Sequence, residues 1–213
     1  MIDRLRVTDA RAELVGQGYD EIGERFEEWR AQIVDDPRER WLEELTSRLW
    51  EGARVLELGC GSGTAETWKL AERFRVTGVD VSASQVRRAR VNVREARFVH
   101  ADLTNLELPD STFEAVASFY AFYHVPRELL PLVFERIHGW LRPDGYLLVS
   151  LGSEDLSEWK GEFLGASMYF SSHPPETNRR LLGEAGFTLL DEQVVGIREP
   201  QRYLSVHWVL AQR

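Results

Sequence analysis

The chain has 213 residues, 43% hydrophobic and 29% charged, which suits one sizeable α/β domain and is short for two. Its 26 basic and 35 acidic residues leave a net charge of −9, so a polyanion is repelled at long range and nucleic acid is disfavoured as a partner. Cys60 is the single cysteine, which excludes an internal disulfide and a multi-cysteine zinc cluster, and no apolar run approaches the roughly 20 residues that span a bilayer.

The opening residues, Met1 to Arg6, lack the apolar stretch of a secretory signal, so a cytoplasmic protein with no membrane association is expected. Residues 7–50 read as helical. Phe26, Trp29 and Ile33 recur at helical spacing, as do Trp41, Leu42, Leu45 and Leu49. A break is expected at Asp35-Asp36-Pro37, with Asp36 capping a helix that Pro37 opens.

From residue 53 the pattern changes to short apolar runs alternating with amphipathic segments. Strands are expected at 55–58, 75–79, 97–101, 113–119 and 145–151. Between them fall helices at 64–73, from Ser82 to about 94, and from Pro126 to near Gly139. Ser82 reads as an N-cap because Gln85 follows three residues on. The basic clusters Arg87-Arg88-Ala89-Arg90 and Asn178-Arg179-Arg180 have acidic neighbours and read as solvated helix faces. Strands alternating with helices imply a mostly parallel sheet with helices on both faces.

The tail differs. Pro174-Pro175-Glu176 leads into a helix to Glu184, stopped by Gly186, before two strands at 187–196 and 201–211 whose short connection makes them antiparallel. Residues 152–173, rich in Trp, Phe, Met and Tyr, read as an aromatic insertion that covers something. The expectation is one domain over 1–213. It comprises a helical lid at 1–50, a cofactor-binding core at 53–151, the aromatic insertion at 152–173 as a substrate cover, and a terminal helix and strand pair at 174–213.

The chemistry starts at Gly59-Cys60-Gly61-Ser62-Gly63, directly after the first strand. Glycines there let the backbone approach a ligand, and amides at the following helix start can receive its polar atoms. Glu57 stands near the end of that strand, and Asp80 ends the next, where a carboxylate can accept from both hydroxyls of a ribose.

With Glu-Leu-Gly-Cys-Gly-Ser-Gly, Gly78-Val79-Asp80-Val81-Ser82, Ala101-Asp102-Leu103 and Leu141-Arg142-Pro143-Asp144-Gly145-Tyr146 in order, the sequence resembles the class I S-adenosylmethionine-dependent methyltransferases. It is most similar to their small-molecule branch, sometimes called the methyltransferase 11/25-like domain, over roughly residues 19–190. The resemblance implies a Rossmann-like class I α/β fold: a mostly parallel seven-stranded sheet, its last strand antiparallel, helices on both faces and an N-terminal helical lid.

It also implies site roles. Gly59, Cys60, Gly61 and Gly63 would surround the methionine part of S-adenosylmethionine, with Cys60 a small space-filler and Glu57 orienting the ammonium. Asp80 would hold the ribose and Val81 would pack on the adenine. Asp102 would accept from the adenine amino group, and the Leu103 amide would donate to the ring. Ser118 and Phe119 would face the sulfonium, and Tyr19 would fold over the cofactor carboxylate. S-adenosylhomocysteine would be the product.

A small-molecule acceptor, planar or apolar, would meet Tyr120 and Tyr123 beyond the fourth strand and Trp159, Met168 and Tyr169 in the insertion, with Phe163 and Phe170 nearby. His124 and His173 are the general-base candidates; His100, His138 and His207 are poorer ones. No His, Asp or Glu set has metal-ligand spacing, so no metal is expected. The fourth strand ends Ser-Phe-Tyr-Ala, which argues against the Asn/Asp-Pro-Pro-aromatic branch acting on DNA and glutamine amino groups.

Three rivals stand. An NAD(P)-dependent oxidoreductase would need Gly-x-Gly-x-x-Gly, whose last position is Thr64 here. A non-catalytic S-adenosylmethionine-binding protein would keep the loop without a shaped acceptor pocket. An RNA methyltransferase is disfavoured by the charge. Monomer and homodimer are both compatible with the sequence.

Overall fold

A computed structural model describes residues 9–213; the expected lid residues at 1–8 lie outside the described residues. Short stretches at β1 (Arg54–Leu58), β2 (Arg75–Asp80), β3 (Arg97–His100) and β4 (Phe113–Ser118) pair in parallel, with helices returning the chain from β1 to β2 and from β2 to β3. Those helices are α4 (Ala65–Ala71) and α5 (Ala83–Asn92), preceded in the chain by α1 (Ala10–Ile22), α2 (Arg25–Arg30) and α3 (Arg38–Thr46). Helix α6 (Leu130–Trp140) then leads to β5 (Leu141–Gly152), which also runs parallel to β4. After α7 (Pro175–Glu184), β8 (Thr188–Arg198) and β9 (Tyr203–Gln212) close the sheet, β9 antiparallel to both β5 and β8.

The order is β3-β2-β1-β4-β5-β9-β8, seven strands as the sequence implies. Period-two alternation sorts the side chains. Leu56, Val116, Leu147 and Val209 face α6 and α7, while Val55, Ala117, Leu148 and Trp208 face α3 and α4. Trp208 stacks on Trp41 with ring centroids 5.9 Å apart. Strand order reverses between β1 and β4, so the loops at their C-terminal ends diverge and leave a crevice.

Several boundaries differ from the sequence reading. The N-terminal stretch is cut at Gly23 (φ 59°) as well as at Asp35, and Ile33 falls after α2 instead of continuing its stripe. Helix α3 starts at Arg38, whose N–H donates to Asp36 Oδ1 (3.1 Å). Two 3₁₀ turns occupy the segment after Pro126 before α6 begins at Leu130. Strand β5 starts at Leu141, four residues early.

The insertion is a β-hairpin, β6 (Leu156–Phe163) and β7 (Ala166–Ser172), turned by Leu164 and Gly165 at φ 51° and 82°. Two consecutive positive φ values are the signature of a tight hairpin turn. Among the described residues no helix is long and apolar enough to cross a membrane.

Candidate active site

The glycine turn sits at the crevice. Gly59, Gly61 and Gly63 all have positive φ, and the N–H groups of Gly59 and Cys60 both donate to Val79 O (2.8 and 3.1 Å). The turn is thereby tied to the end of β2, where Asp80 accepts from Gly61 N–H and Ser82 N–H, each at 2.8 Å. Burial raises the Asp80 carboxyl above its ordinary pKa, and those two amides pull it back.

Between the turn, the lid and the hairpin lies a cavity of ≈ 1380 Å³ including its mouth. Glu57, Gly59, Gly61, Asp80, Val81, Asp102, Leu103 and Phe119 line it. Glu57 is 2% exposed, and its Oε2 has no hydrogen-bond partner among the described residues. Desolvation pushes its carboxyl up to about 8, opposed by Thr67. A buried carboxylate oxygen with no donor fits an ammonium group, so this cavity suits a cofactor carrying an amino-acid end beside a ribose.

The opposite wall is aromatic. Phe26 stacks on Trp29 (5.8 Å), Trp29 meets the edge of Phe163 (5.1 Å), and Phe163 meets Phe170 (5.7 Å). Tyr120 and Tyr123 also line the space. Tyr120 has φ 63°, a strained value for a bulky residue, held by its N–H to Ser150 Oγ (2.6 Å) and its hydroxyl to Asp36 Oδ1 (2.8 Å).

His124 lines the cavity beneath Tyr19. Its Nδ1 lies 2.8 Å from Tyr169 O and its Nε2 2.9 Å from the Tyr19 hydroxyl. A carbonyl only accepts, so Nδ1 carries the proton and Nε2 receives the Tyr19 hydroxyl's. Burial lowers the His124 pKa to about 4, which keeps the ring neutral at pH 7. The Tyr19 proton thus points to His124 and not toward a cofactor carboxylate, contrary to the resemblance.

Other expected residues lie elsewhere. Ser118 is fully buried and its Oγ donates to Leu58 O (2.7 Å), which turns it away from the cavity. The Cys60 side chain packs with Val86, Ala89 and Phe98 under α5, and burial raises its thiol pKa. Gly63 faces the backbone of Ala89. Met168 and Tyr169 are buried against α1, because β7 presents them to the lid helix, while Phe163 and Phe170 reach the cavity. Trp159 is 41% exposed, packed against Phe170 and outside the cavity lining. His173 lies outside the lining, near Arg127, its pKa lowered by burial.

The lid reaches the core through polar contacts the sequence reading did not place. Ser82 Oγ donates to Asp20 Oδ1 (2.5 Å), Ser62 Oγ donates to Glu27 Oε1 (2.9 Å), and Arg30 pairs with Glu66 (3.1 Å). Glu199 and Arg202, from the β8–β9 turn, complete the far rim. A backbone bridge between Val34 and Arg198 fixes that turn to the lid.

A sheet of this order with a glycine turn and paired acids at its switch point defines a Rossmann-like nucleoside-binding α/β protein of the class I methyltransferase architecture. Residues 55–145 match the family described as a methyltransferase domain. A fatty-acid O-methyltransferase from Mycolicibacterium smegmatis is 33% identical over 129 residues, covering 57% of this chain and 46% of that protein. The chain spans about half the length of the curated relatives it matches.

A solved S-adenosylmethionine-dependent methyltransferase from Methanosarcina mazei superposes with TM-score 0.70 at 18% identity, over 80% of this chain and 96% of that one. The 1,6-didemethyltoxoflavin-N1-methyltransferase of Burkholderia thailandensis, solved with its substrate and S-adenosylhomocysteine, gives TM-score 0.66 at 20% identity over 100% and 97%. Over residues 55–145 the chain is similar to this methyltransferase domain, and its fold is that of solved S-adenosylmethionine-dependent methyltransferases.

Proposed function

We propose that this chain, as a single domain, transfers a methyl group from S-adenosylmethionine to oxygen, nitrogen or carbon of a small planar or apolar molecule. The observation that carries this is the unpartnered Glu57 Oε2 beside the glycine turn, in one cavity with Asp80 and an aromatic wall. Relatives whose printed names include an acceptor, among them a fatty acid, trans-aconitate and a demethylrifamycin, also support a small molecule.

When bound, the cofactor supplies a methyl group on a sulfonium, displaced in line by a lone pair of the acceptor. Glu57 would take the amino-acid ammonium, Asp80 the ribose hydroxyls, and the Gly59 and Gly61 backbone the methionine part. Val81 and Leu103 would contact the base. Phe26, Trp29, Phe163 and Phe170 would hold the acceptor and exclude water, which supplies much of the rate by alignment. The Tyr19 oxygen, its own proton turned to His124, would accept the acceptor's proton as Tyr19 passes its proton to His124 Nε2.

Three measurements test this. S-adenosylhomocysteine is expected to raise the melting temperature, and NADH to leave it unchanged; the reverse result sinks the reading in favour of an oxidoreductase. Asp80→Ala should weaken S-adenosylhomocysteine by about 1.5–3 kcal/mol in calorimetry, and unchanged affinity removes Asp80 from the site. Tyr19→Phe keeps the ring against Phe26 (5.2 Å). It should lower kcat by on the order of 10²-fold or more with cofactor affinity retained. An unaltered kcat would take the pair out of the chemistry.

A further inference from the structure

Four polar side chains in the cavity lining have no proton left for a ligand. Tyr19 gives its hydroxyl proton to His124 Nε2 (2.9 Å), and His124 gives its Nδ1 proton to Tyr169 O (2.8 Å). The Tyr120 hydroxyl donates to Asp36 Oδ1 (2.8 Å) and the Tyr123 hydroxyl to Leu151 O (3.1 Å). Each of the three hydroxyl oxygens can then only accept.

Glu199 adds a carboxylate to the same lining, from the β8–β9 turn. It is 8% exposed; its Oε2 accepts from Arg202 Nε (2.5 Å), and no described residue donates to Oε1. Its charge reaches two of the rings. After burial it is the main cause that holds the Tyr123 hydroxyl above its ordinary pKa, and it adds to burial and Asp80 at Tyr19. The arginines of the lining do not cancel it. Arg30 pairs with Glu66 (3.1 Å) and Arg38 with Asp36 (2.5 Å), so both are engaged. The Arg202 side chain is 55% exposed, where water and salt screen it, while Glu199 is held out of water.

Resting on the methyltransferase reading above, we propose that the methyl acceptor is a planar molecule carrying an amine, whose protonated nitrogen is held at Glu199 Oε1. An ammonium brings up to three N–H donors to a lining that mostly accepts, and its bond to a carboxylate is of the strong, charge-assisted kind. Aromatic faces attract a cation as well, as Arg38 shows over the Tyr120 ring (4.7 Å). The ammonium is a handle and not the nucleophile, because a protonated nitrogen has no lone pair for the methyl carbon. The methylated atom is a second group of the same molecule, presented to the Tyr19 oxygen. A carboxylate in place of the ammonium would find its donor only in Arg202.

The test is calorimetry on the full chain loaded with S-adenosylhomocysteine. Its three probes share a phenol ring and differ in the para arm: ethylamine, ethanol or acetate. Wild type should bind the amine on the order of 10-fold or more tighter than the alcohol, with the acetate weakest. E199Q should bind amine and alcohol alike with S-adenosylhomocysteine affinity retained, and R202M should keep the preference for the amine. A wild type that holds S-adenosylhomocysteine yet binds the amine no better than the alcohol, binding neither included, overturns the assignment. So does the acetate ranked first, or an amine preference that is undiminished in E199Q or lost only in R202M. If E199Q fails to fold, the wild-type ranking decides. A wild type that binds no S-adenosylhomocysteine would overturn the cofactor reading as well.

Discussion

Without cofactor, Glu57→Gln is expected to be more stable than the wild type above neutral pH and no more stable at pH 4. Glu57 is buried on β1, and desolvation raises its carboxyl from 4.5 to about 8. The unfolded chain ionises near 4.5, so between 4.5 and 8 the folded protein holds a proton that the unfolded one has lost. Wild-type stability therefore falls as pH rises through that window, and above about 8 the loss is complete. Glutamine has no such dependence. At about 1.36 kcal/mol per pH unit, the 2.5 units from 4.5 to 7 are worth about 3 kcal/mol.

Adding S-adenosylhomocysteine should reverse the order, because its ammonium would compensate the wild-type charge and gains little from an amide. Urea denaturation from pH 4 to 9, with and without ligand, checks both halves. A wild type whose stability is flat from pH 5 to 8, or a variant that gains as much from ligand, would sink the argument. Retaining a carboxylate that destabilises the empty protein is the kind of cost that binding sites impose.

Much of the site was legible because its signals are local. Glycines that tolerate positive φ, an acid near the end of β1 and another at the end of β2 lie within 24 residues, 57–80, and parallel pairing of β1 with β2 brings them to one end of the sheet. What failed was the direction of side chains. Cys60 stands inside the glycine turn yet faces α5, and Ser118 ends β4 yet points at Leu58 O. Strand alternation determines which face each side chain takes, and the irregular turn beyond the strand carries no such rule.

The hairpin at 156–172 was hidden for another reason. Its turn is Leu164-Gly165, without the Asn-Gly or Asp-Gly that marks such a turn in sequence, so the aromatic run read only as an insertion covering something. Glu199 and Arg202 arrive from more than a hundred residues away through the β8–β9 turn.

The other large effect concerns the turn itself. Gly59→Ala is expected to destabilise the protein by about 2–5 kcal/mol and to weaken cofactor binding. Gly59 has φ 75°, where an L side chain costs about 1–2 kcal/mol. An added Cβ would also stand 2.2 Å from Ala121 Cβ, and such overpacking costs about 1–3 kcal/mol. Backbone on one side and the β4 exit on the other leave no room to relax. Gly59 N–H is bound to Val79 O, and Ala121 follows Tyr120, itself pinned to Ser150 and Asp36.

Displacing Ala121 would carry Tyr120 with it, so the substitution should also raise the KM for the acceptor. Gly59→Ala/Ala121→Gly separates the two causes. It removes the collision and leaves the φ strain, so the double variant should recover about 1–3 kcal/mol relative to Gly59→Ala in a double-mutant cycle read by urea denaturation. Strictly additive effects would show that contact between the two loops is not what requires glycine at 59.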